Sequence, residues 1–256
     1  MTIVTCVKVR DGLVLGTDSM AHIFRGGAFG RAFRNARKLF QIGNLPIGVV
    51  AYGLANVGNR SIESLMREFG DNLNPNTKRV ETVAKSLYAF MKAEYESHPE
   101  ELPEGAEQTS LGIAIAGYSP GRIFAEQFEF ELPGSEEAVP GLVEEEFGAA
   151  WWGVAAPFFR LSKGYGPLVR IRLEEAGLEP EAASALLDDL QIDVFFDAMP
   201  LQDAVDYANF VLTTTIDYTT FTSQVPPCGG PLQVATIHPD RGFQWLAKPQ
   251  LRLKGD

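Results

Sequence analysis

The order in which apolar patterns change along the chain is the feature that most restricts its fold. Alternation typical of strands runs through residues 2–9, turns at Asp11-Gly12 and returns through residues 13–18. Apolar residues at helical spacing follow in residues 54–69 and 77–95. A hairpin followed by consecutive helices favours an α+β protein in which two sheets face each other and helices cover the outside.

Further strands and helices complete this order. Strands are predicted at residues 38–42, 47–52, 110–131 (a hairpin around residues 119–121), 149–154, 231–237 and 243–246, and helices on both sides of residues 164–167 and after Pro200. The glycine- and arginine-rich residues 24–37 are predicted to form an exposed loop. No linker or internal repeat divides the chain, so we interpret residues 1–256 as a single domain.

Composition limits the classes of partner. The chain has 256 residues, of which 45% are hydrophobic, and a net charge of −11, which opposes binding to a nucleic acid backbone. Lys8, Arg10 and Asp11 interrupt the apolar run that a signal peptide needs, and no stretch is long enough to span a membrane. We therefore expect a cytoplasmic protein. Cys6 and Cys228 are expected to be small buried residues without a disulfide.

Thr2 directly follows Met1, and methionine is commonly removed when the next residue is as small as threonine. Its removal would leave Thr2 with a free α-amine beside its own hydroxyl. The amine can accept the hydroxyl proton, so one residue supplies both nucleophile and base. Many ordinary proteins begin Met-Thr, so Thr2 alone does not indicate an enzyme.

Four sequence blocks together resemble proteasome β-type subunits, which are N-terminal-nucleophile (Ntn) hydrolases. The blocks are Thr2-Ile3-Val4, Asp11-Gly12-Leu13-Val14-Leu15-Gly16-Thr17-Asp18, Lys38-Leu39-Phe40-Gln41-Ile42 and Val49-Val50-Ala51-Tyr52-Gly53. They occur in the order of that family, with the family's spacing from Thr2 to Asp18. The interval from Asp18 to Lys38 is a few residues longer, and the extra residues fall in the glycine- and arginine-rich segment.

The resemblance implies the four-layer αββα sandwich of Ntn hydrolases and a role for each matched residue. Thr2 would be the nucleophile, Lys38 the cation beside its hydroxyl, and Asp18 the carboxylate that holds Lys38. Gly53 would donate its backbone N–H to the oxyanion. Because we predict that Gly53 lies where a strand meets a helix N-terminus, the helix dipole would reinforce that donor.

The pocket for the residue preceding the cleaved bond corresponds, by the same resemblance, to Ala21, Ala36, Ala51 and Ala55. Four small apolar side chains predict a roomy pocket that prefers bulky hydrophobic groups to acidic ones. An alternative stays equally open, in which these alanines only permit close packing of helix on sheet.

The function implied is a threonine-type endopeptidase in a homo-oligomeric ring, acting on unfolded polypeptides or peptides and served by a separate ATPase. No cofactor is implied. A metal site is not expected either, because His22, His98 and His238 show no ligand spacing.

Departures from the family pattern keep two alternatives open. Val154 stands where active members have a serine, and residues 225–228 replace an aspartate and a second serine, with Cys228 as a weak hydrogen-bonding substitute near Thr2. His22 stands where the family often uses a threonine to bind the substrate backbone. The chain could instead be a catalytically silent ring subunit, or an Ntn amidase acting on a small amide.

Overall fold

The structure, a computed structural model, describes residues 2–25, 28–98, 110–142 and 145–251. Its strands are β1 Ile3–Val9, β2 Gly12–Thr17, β3 Ala21–Arg25, β4 Ala28–Phe33, β5 Leu39–Gln41, β6 Ile47–Gly53, β7 Asn56–Val57, β8 Arg60–Ser61, β9 Leu111–Gly117, β10 Glu126–Leu132, β11 Val139–Pro140, β12 Gly148–Gly153, β13 Gln233–His238 and β14 Gly242–Ala247. Its α-helices are α1 Ile62–Asn72, α2 Val80–Ser97, α3 Ala156–Lys163, α4 Val169–Glu175, α5 Pro180–Asp188 and α6 Leu201–Thr222, with a 3-10 turn at Phe196–Ala198. The described elements begin and end with strands, as the sequence predicts.

Ten of these strands form two five-stranded antiparallel sheets. The first has the order β12-β1-β2-β13-β14 and the second the order β11-β10-β9-β6-β5, while β3-β4 and β7-β8 are separate hairpins. In the first sheet Val4 lies opposite Thr17 of β2, and Ile3 lies opposite Gly153 of β12. The beginning of β1 therefore lies beside the final residues of both neighbouring strands.

Three hydrophobic cores separate four layers. Because side chains of a strand alternate between its faces, Val4 and Cys6 of β1 contact the second sheet, while Ile3 and Val7 contact α6. The third core lies between the second sheet and the pair α1 and α2, and it includes Val49, Ile113, Phe130, Leu65 and Leu87. Both sheets are thus buried on both faces over much of their area. The predicted four-layer αββα sandwich is confirmed.

Helix α1 begins later than the sequence predicts. The apolar spacing predicts a helix over residues 54–69, but β7 and β8 form a small hairpin before it, turning at Gly58 with a φ of 54°. The helix begins after Ser61, whose side chain accepts a hydrogen bond from the Ser64 N–H at 3.2 Å. The start of that prediction is wrong because apolar residues of an irregular segment matched helical spacing by chance.

The predicted loop over residues 24–37 is also wrong in part, since β3 and β4 form a two-stranded hairpin there. Gly26 and Gly27 lie outside the described residues. Gly30 is the extra residue where the register shifts, from Ile23 opposite Arg31 to Phe24 opposite Phe29. Glycine in this segment therefore marks a bulge within a hairpin, whose aromatic residues favour strands. Within the described ranges, no helix has the length and apolar character needed to cross a membrane.

Candidate active site

Strand ends bring three of the predicted site residues together. Thr2 precedes β1 and Asp18 follows β2, and these ends are adjacent because the two strands are antiparallel. The backbone N–H of Asp18 donates to the Ile3 carbonyl, and the Ile3 N–H donates to Asp18 Oδ1, both at 3.2 Å. Lys38 immediately precedes β5 of the second sheet. Its side chain connects the two sheets at this end of the sandwich.

The Lys38 ammonium makes three hydrogen bonds at the site. Nζ lies 2.7 Å from Thr2 Oγ1, 2.8 Å from Asp18 Oδ1 and 2.6 Å from the Met20 carbonyl oxygen. Three donors are the full capacity of an ammonium group. The ammonium is therefore fixed in direction, and one of its N–H bonds points at the Thr2 hydroxyl.

Asp18 is a fully buried carboxylate that accepts four hydrogen bonds. Oδ1 accepts from the Ile3 N–H and Lys38, and Oδ2 accepts from the N–H groups of Met20 at 3.0 Å and Gly229 at 2.9 Å. Such donors compensate the loss of water around the charge. Burial lowers the pKa of Lys38 below its ordinary 10.5, although the Asp18 charge and hydrogen bond act in the opposite direction.

Thr2 is itself held from both sides. Its carbonyl accepts a hydrogen bond of 2.7 Å from the Val154 N–H, just after β12. Thr2 is 3% exposed. The predicted removal of Met1 concerns a residue outside the described ranges, so the α-amine that would act as base is not part of this geometry.

Gly53 ends β6, on the strand adjacent to Lys38. The Ala51 N–H donates to the Lys38 carbonyl at 3.0 Å, which puts Gly53 two residues past Lys38 along the neighbouring strand. Gly53 has a φ of 86° and is exposed, and a Cβ there would collide with the Ser110 carbonyl oxygen. The predicted support from a helix N-terminus is wrong, because α1 begins only at Ile62.

Three of the four predicted pocket alanines line one cavity of about 370 Å³. They are Ala21, Ala36 and Ala55, whereas Ala51 is buried in the core that faces α1 and α2 and is not among the lining residues. The other lining residues are Ile23, Phe33, Arg34, Asn35, Arg37, Asn56, Ser61 and Glu63. Charged and amide side chains supply much of the wall, so this cavity is less apolar than the alanines alone would make it.

His22 and Cys228 are two residues at which the sequence departs from the family pattern, and their environments in the structure shift their pKa values. Burial and nearby positive charge lower the pKa of His22 below 6.5, so its imidazole is neutral at pH 7. The Cys228 sulfur lies 3.5 Å from the Thr219 hydroxyl of α6. Burial raises the pKa of Cys228 to about 11. The hydrogen-bonding partner that the structure gives Cys228 is therefore Thr219 and not Thr2, and both cysteines are free and buried as expected.

Sequence reasoning missed Gln233, a fully buried amide in β13. Its Oε1 accepts from the N–H groups of Lys38 at 3.1 Å and Leu39 at 3.3 Å, and its Nε2 donates to the Ala36 carbonyl at 2.8 Å. Gln233 thus ties the first sheet to the segment that carries Lys38. An amide at the start of a largely buried strand was the available signal, because buried amides need partners.

Comparison with known proteins supports the fold. No family model matches the chain, and no curated protein matches it. Among solved structures, a Gly-1 mutant of Anbu from Hyphomicrobium sp. strain MC1 superposes with a TM-score of 0.58 at 10% identity, covering 96% of this chain and 88% of that one. Anbu from Yersinia bercovieri, described as an ancestral beta-subunit, gives 0.57 at 12% identity, covering 96% and 87%. The protein thus has a proteasome-β-related, Ntn-type fold.

Proposed function

We propose that this chain is a threonine-type endopeptidase in which Thr2, freed by removal of Met1, is the N-terminal nucleophile. The observation that carries the proposal is the position of Lys38 Nζ, 2.7 Å from Thr2 Oγ1 and 2.8 Å from Asp18 Oδ1. A buried ammonium needs an acceptor for each of its three donors, and here the third acceptor is the Thr2 hydroxyl. The arrangement suits an activated hydroxyl, because the adjacent cation stabilises the oxygen as it loses its proton.

In the proposed reaction the α-amine of Thr2 accepts a proton and then donates it. Thr2 Oγ1 attacks the carbonyl carbon of the substrate while its proton passes to the α-amine, and the carbonyl electron pair moves onto oxygen. The N–H of Gly53 donates to this oxyanion. Collapse breaks the C–N bond, the departing amine takes the proton, and an ester remains on Thr2. Water, losing a proton to the same α-amine, then hydrolyses the ester and restores the hydroxyl.

We further propose that the chain acts as a homo-oligomeric ring on unfolded or peptide substrates supplied by a separate ATPase. The fold supports a proteasome-like ancestry, and the solved relative from Yersinia bercovieri is described as a beta-subunit. Enclosure in a chamber would confine cleavage to chains that have already been unfolded.

Intact-mass measurement on the purified protein tests the proposal. A peptide epoxyketone, which captures both the amine and the hydroxyl of a terminal threonine, should add one mass increment to a chain lacking Met1. The Thr2→Ala variant should show none, and Thr2→Ser should retain it, because serine keeps both reacting groups. As a matched control, Thr5→Ser should react normally, because the Thr5 hydroxyl bonds the Ala150 carbonyl instead of Lys38.

Three results would contradict the proposal in different ways. Retained Met1, or a chain without Met1 that forms no adduct, would point to a silent subunit. Adduct formation combined with turnover of small amides, but not of internal bonds in longer peptides, would point to an amidase. An adduct that survives Thr2→Ala would place the reactive group elsewhere.

A further inference from the structure

The cavity of about 370 Å³ is lined by residues that follow or precede the candidate site residues closely in the chain, among them Ala21, Arg37 and Ala55. Met20, whose carbonyl binds Lys38 Nζ, is followed directly by the lining residue Ala21. Ala55, another lining residue, lies two residues after Gly53. A substrate carbonyl held between Thr2 and Gly53 would therefore direct a neighbouring side chain into this cavity.

One of the two arginines in the cavity wall is already partnered. Arg37 lies 3.4 Å from the Glu63 carboxylate and donates to the Leu39 carbonyl at 3.3 Å. Its guanidinium also lies over the rings of Phe40 and Trp245, at 5.6 and 5.5 Å from their centroids. These contacts fix Arg37 in place and offset its charge.

The other arginine has no such partner. Arg34 is exposed and lines the cavity, and no carboxylate of a described residue forms an ion pair with it. Its backbone is nevertheless held in place, because the Ser19 hydroxyl donates to the Arg34 carbonyl at 2.7 Å. The cavity wall therefore carries one uncompensated positive charge on an anchored segment.

We propose that Arg34 determines specificity and that this cavity selects an acidic side chain on the residue preceding the cleaved bond. The inference rests on the proposed function for the identity of the substrate. A carboxylate gains charge-assisted hydrogen bonds from the guanidinium, and the nearby amides of Asn35 and Asn56 provide further donors. A lysine or arginine side chain meets like charge, and a large apolar side chain meets a wall that is only partly apolar.

Equilibrium binding separates this selectivity from catalysis. Fluorescent peptides that end in Glu, Gln, Leu or Lys, and are otherwise identical, are titrated against the Thr2→Ala variant, which binds without reacting. The Glu peptide should bind about 5-fold more tightly than the Gln peptide, as expected for one ion pair open to solvent. The difference should shrink as salt is raised, because exposed charges are screened.

Matched variants assign the selectivity to Arg34. Arg34→Gln should abolish the difference between the Glu and Gln peptides. Arg67→Gln removes an equal charge from a neighbouring cavity, and should leave the difference unchanged because Arg67 does not line the cavity that Arg34 lines. Tightest binding of the Leu peptide, equal binding of Glu and Gln, or equal effects of the two variants would overturn the proposal.

Failure of the proposed function would look different. A protein that forms no epoxyketone adduct, yet binds the Glu peptide through Arg34, would retain the selective cavity without the peptidase. A protein that forms the adduct but binds all four peptides equally would retain the peptidase without this selectivity.

Discussion

Lys38 combines two properties that are seldom found together, a buried ammonium and direct contact with a hydroxyl that we propose as nucleophile. Burial lowers its pKa below 10.5, so the cation is lost at a lower pH than for an exposed lysine. If the cation stabilises the Thr2 oxygen, then the rate of the reaction must fall once Lys38 loses its proton.

This reasoning predicts a bell-shaped pH dependence for epoxyketone capture by Thr2. The rate should rise as the freed α-amine loses its proton, near pH 8 or somewhat below. It should fall again at a pH below 10.5, when Lys38 becomes neutral. Single-turnover rates measured by intact mass between about pH 6 and pH 11 provide the test.

His22 supplies the control for the ascending limb. Its pKa already lies below 6.5, so His22→Asn should leave that limb in place. A limb that disappears in His22→Asn would assign it to the imidazole. A rate that continues to rise beyond pH 10.5 would show that the Lys38 charge is not needed.

Asp18→Asn should be strongly destabilising although the side chain hardly changes in size. The substitution leaves the Lys38 ammonium buried without a counter-charge, a situation that typically costs about 3–5 kcal/mol. The amide nitrogen would also face groups that now donate to Asp18, among them the N–H groups of Met20 and Gly229. Urea unfolding at pH 7 measures the loss.

Glu63→Gln is the matched comparison, because it removes a carboxylate from an exposed pair. The Arg37–Glu63 pair has side chains that are 33% and 48% exposed, so its removal should cost less than about 1 kcal/mol. Equal losses for the two variants would show that burial gives the Asp18–Lys38 pair no special weight.

At the scale of elements, the end of β12 holds Thr2 in position. Gly153 has a φ of 81°, and a Cβ there would collide with the Thr2 carbonyl oxygen, which accepts a hydrogen bond from the Val154 N–H. Gly153→Ala should therefore displace Thr2 and reduce epoxyketone capture by at least about 10-fold, in line with small misplacements at reacting centres. Capture rates and urea unfolding should be measured together.

Gly121 offers a control with nearly the same backbone conformation. Its φ is 78°, but a Cβ there would meet no atom within 4 Å. Gly121→Ala should thus show only the conformational penalty, about 1 kcal/mol, and normal capture. If both alanine variants capture the epoxyketone equally well, contact between β12 and Thr2 does not position the nucleophile.

Elements with a clear period and clear ends could be predicted from the sequence. The first hairpin has alternating apolar residues and an Asp11-Gly12 turn, and α6 has an apolar face over its first half after Pro200. The segment between Gly53 and Ser61 could not, because its apolar residues fit helical spacing while the true helix signal was the Ser61 cap. Local patterns do not show which of two competing signals tertiary packing will favour.

For the site too, some contacts could be predicted from local sequence patterns and others could not. Neighbouring strand ends made the proximity of Thr2 and Asp18 predictable, since antiparallel pairing follows from the hairpin. Gln233 and Gly229 reach the site from a part of the chain about 200 residues away, as the Gly229 bond to Asp18 illustrates. Such contacts depend on the packing order of β13 beside β2, which no local pattern specifies.

For the whole molecule, net charge and exposed apolar side chains have opposite effects on self-association. A net charge of −11 disfavours association of identical chains. Against this, residues 161–195, which run from the end of α3 through α4 and α5, carry seven apolar side chains that are more than half exposed. They are Leu161, Leu168, Ile171, Leu186, Leu190, Ile192 and Phe195. Exposed apolar side chains in this number within one segment are typical of an interface.

We therefore predict that the protein self-associates through this segment, and that the association strengthens with salt as charge repulsion is screened. Light scattering coupled to size-exclusion chromatography should give a mass that is a multiple of 28.0 kDa. The double variant Ile192→Asp, Phe195→Asp, at side chains that are each 78% exposed, should shift the mass towards the monomer. Ile123→Asp, at a 76% exposed turn residue remote in sequence, should leave it unchanged. A monomeric wild-type protein at high salt, or equal effects of both changes, would contradict assembly through residues 161–195.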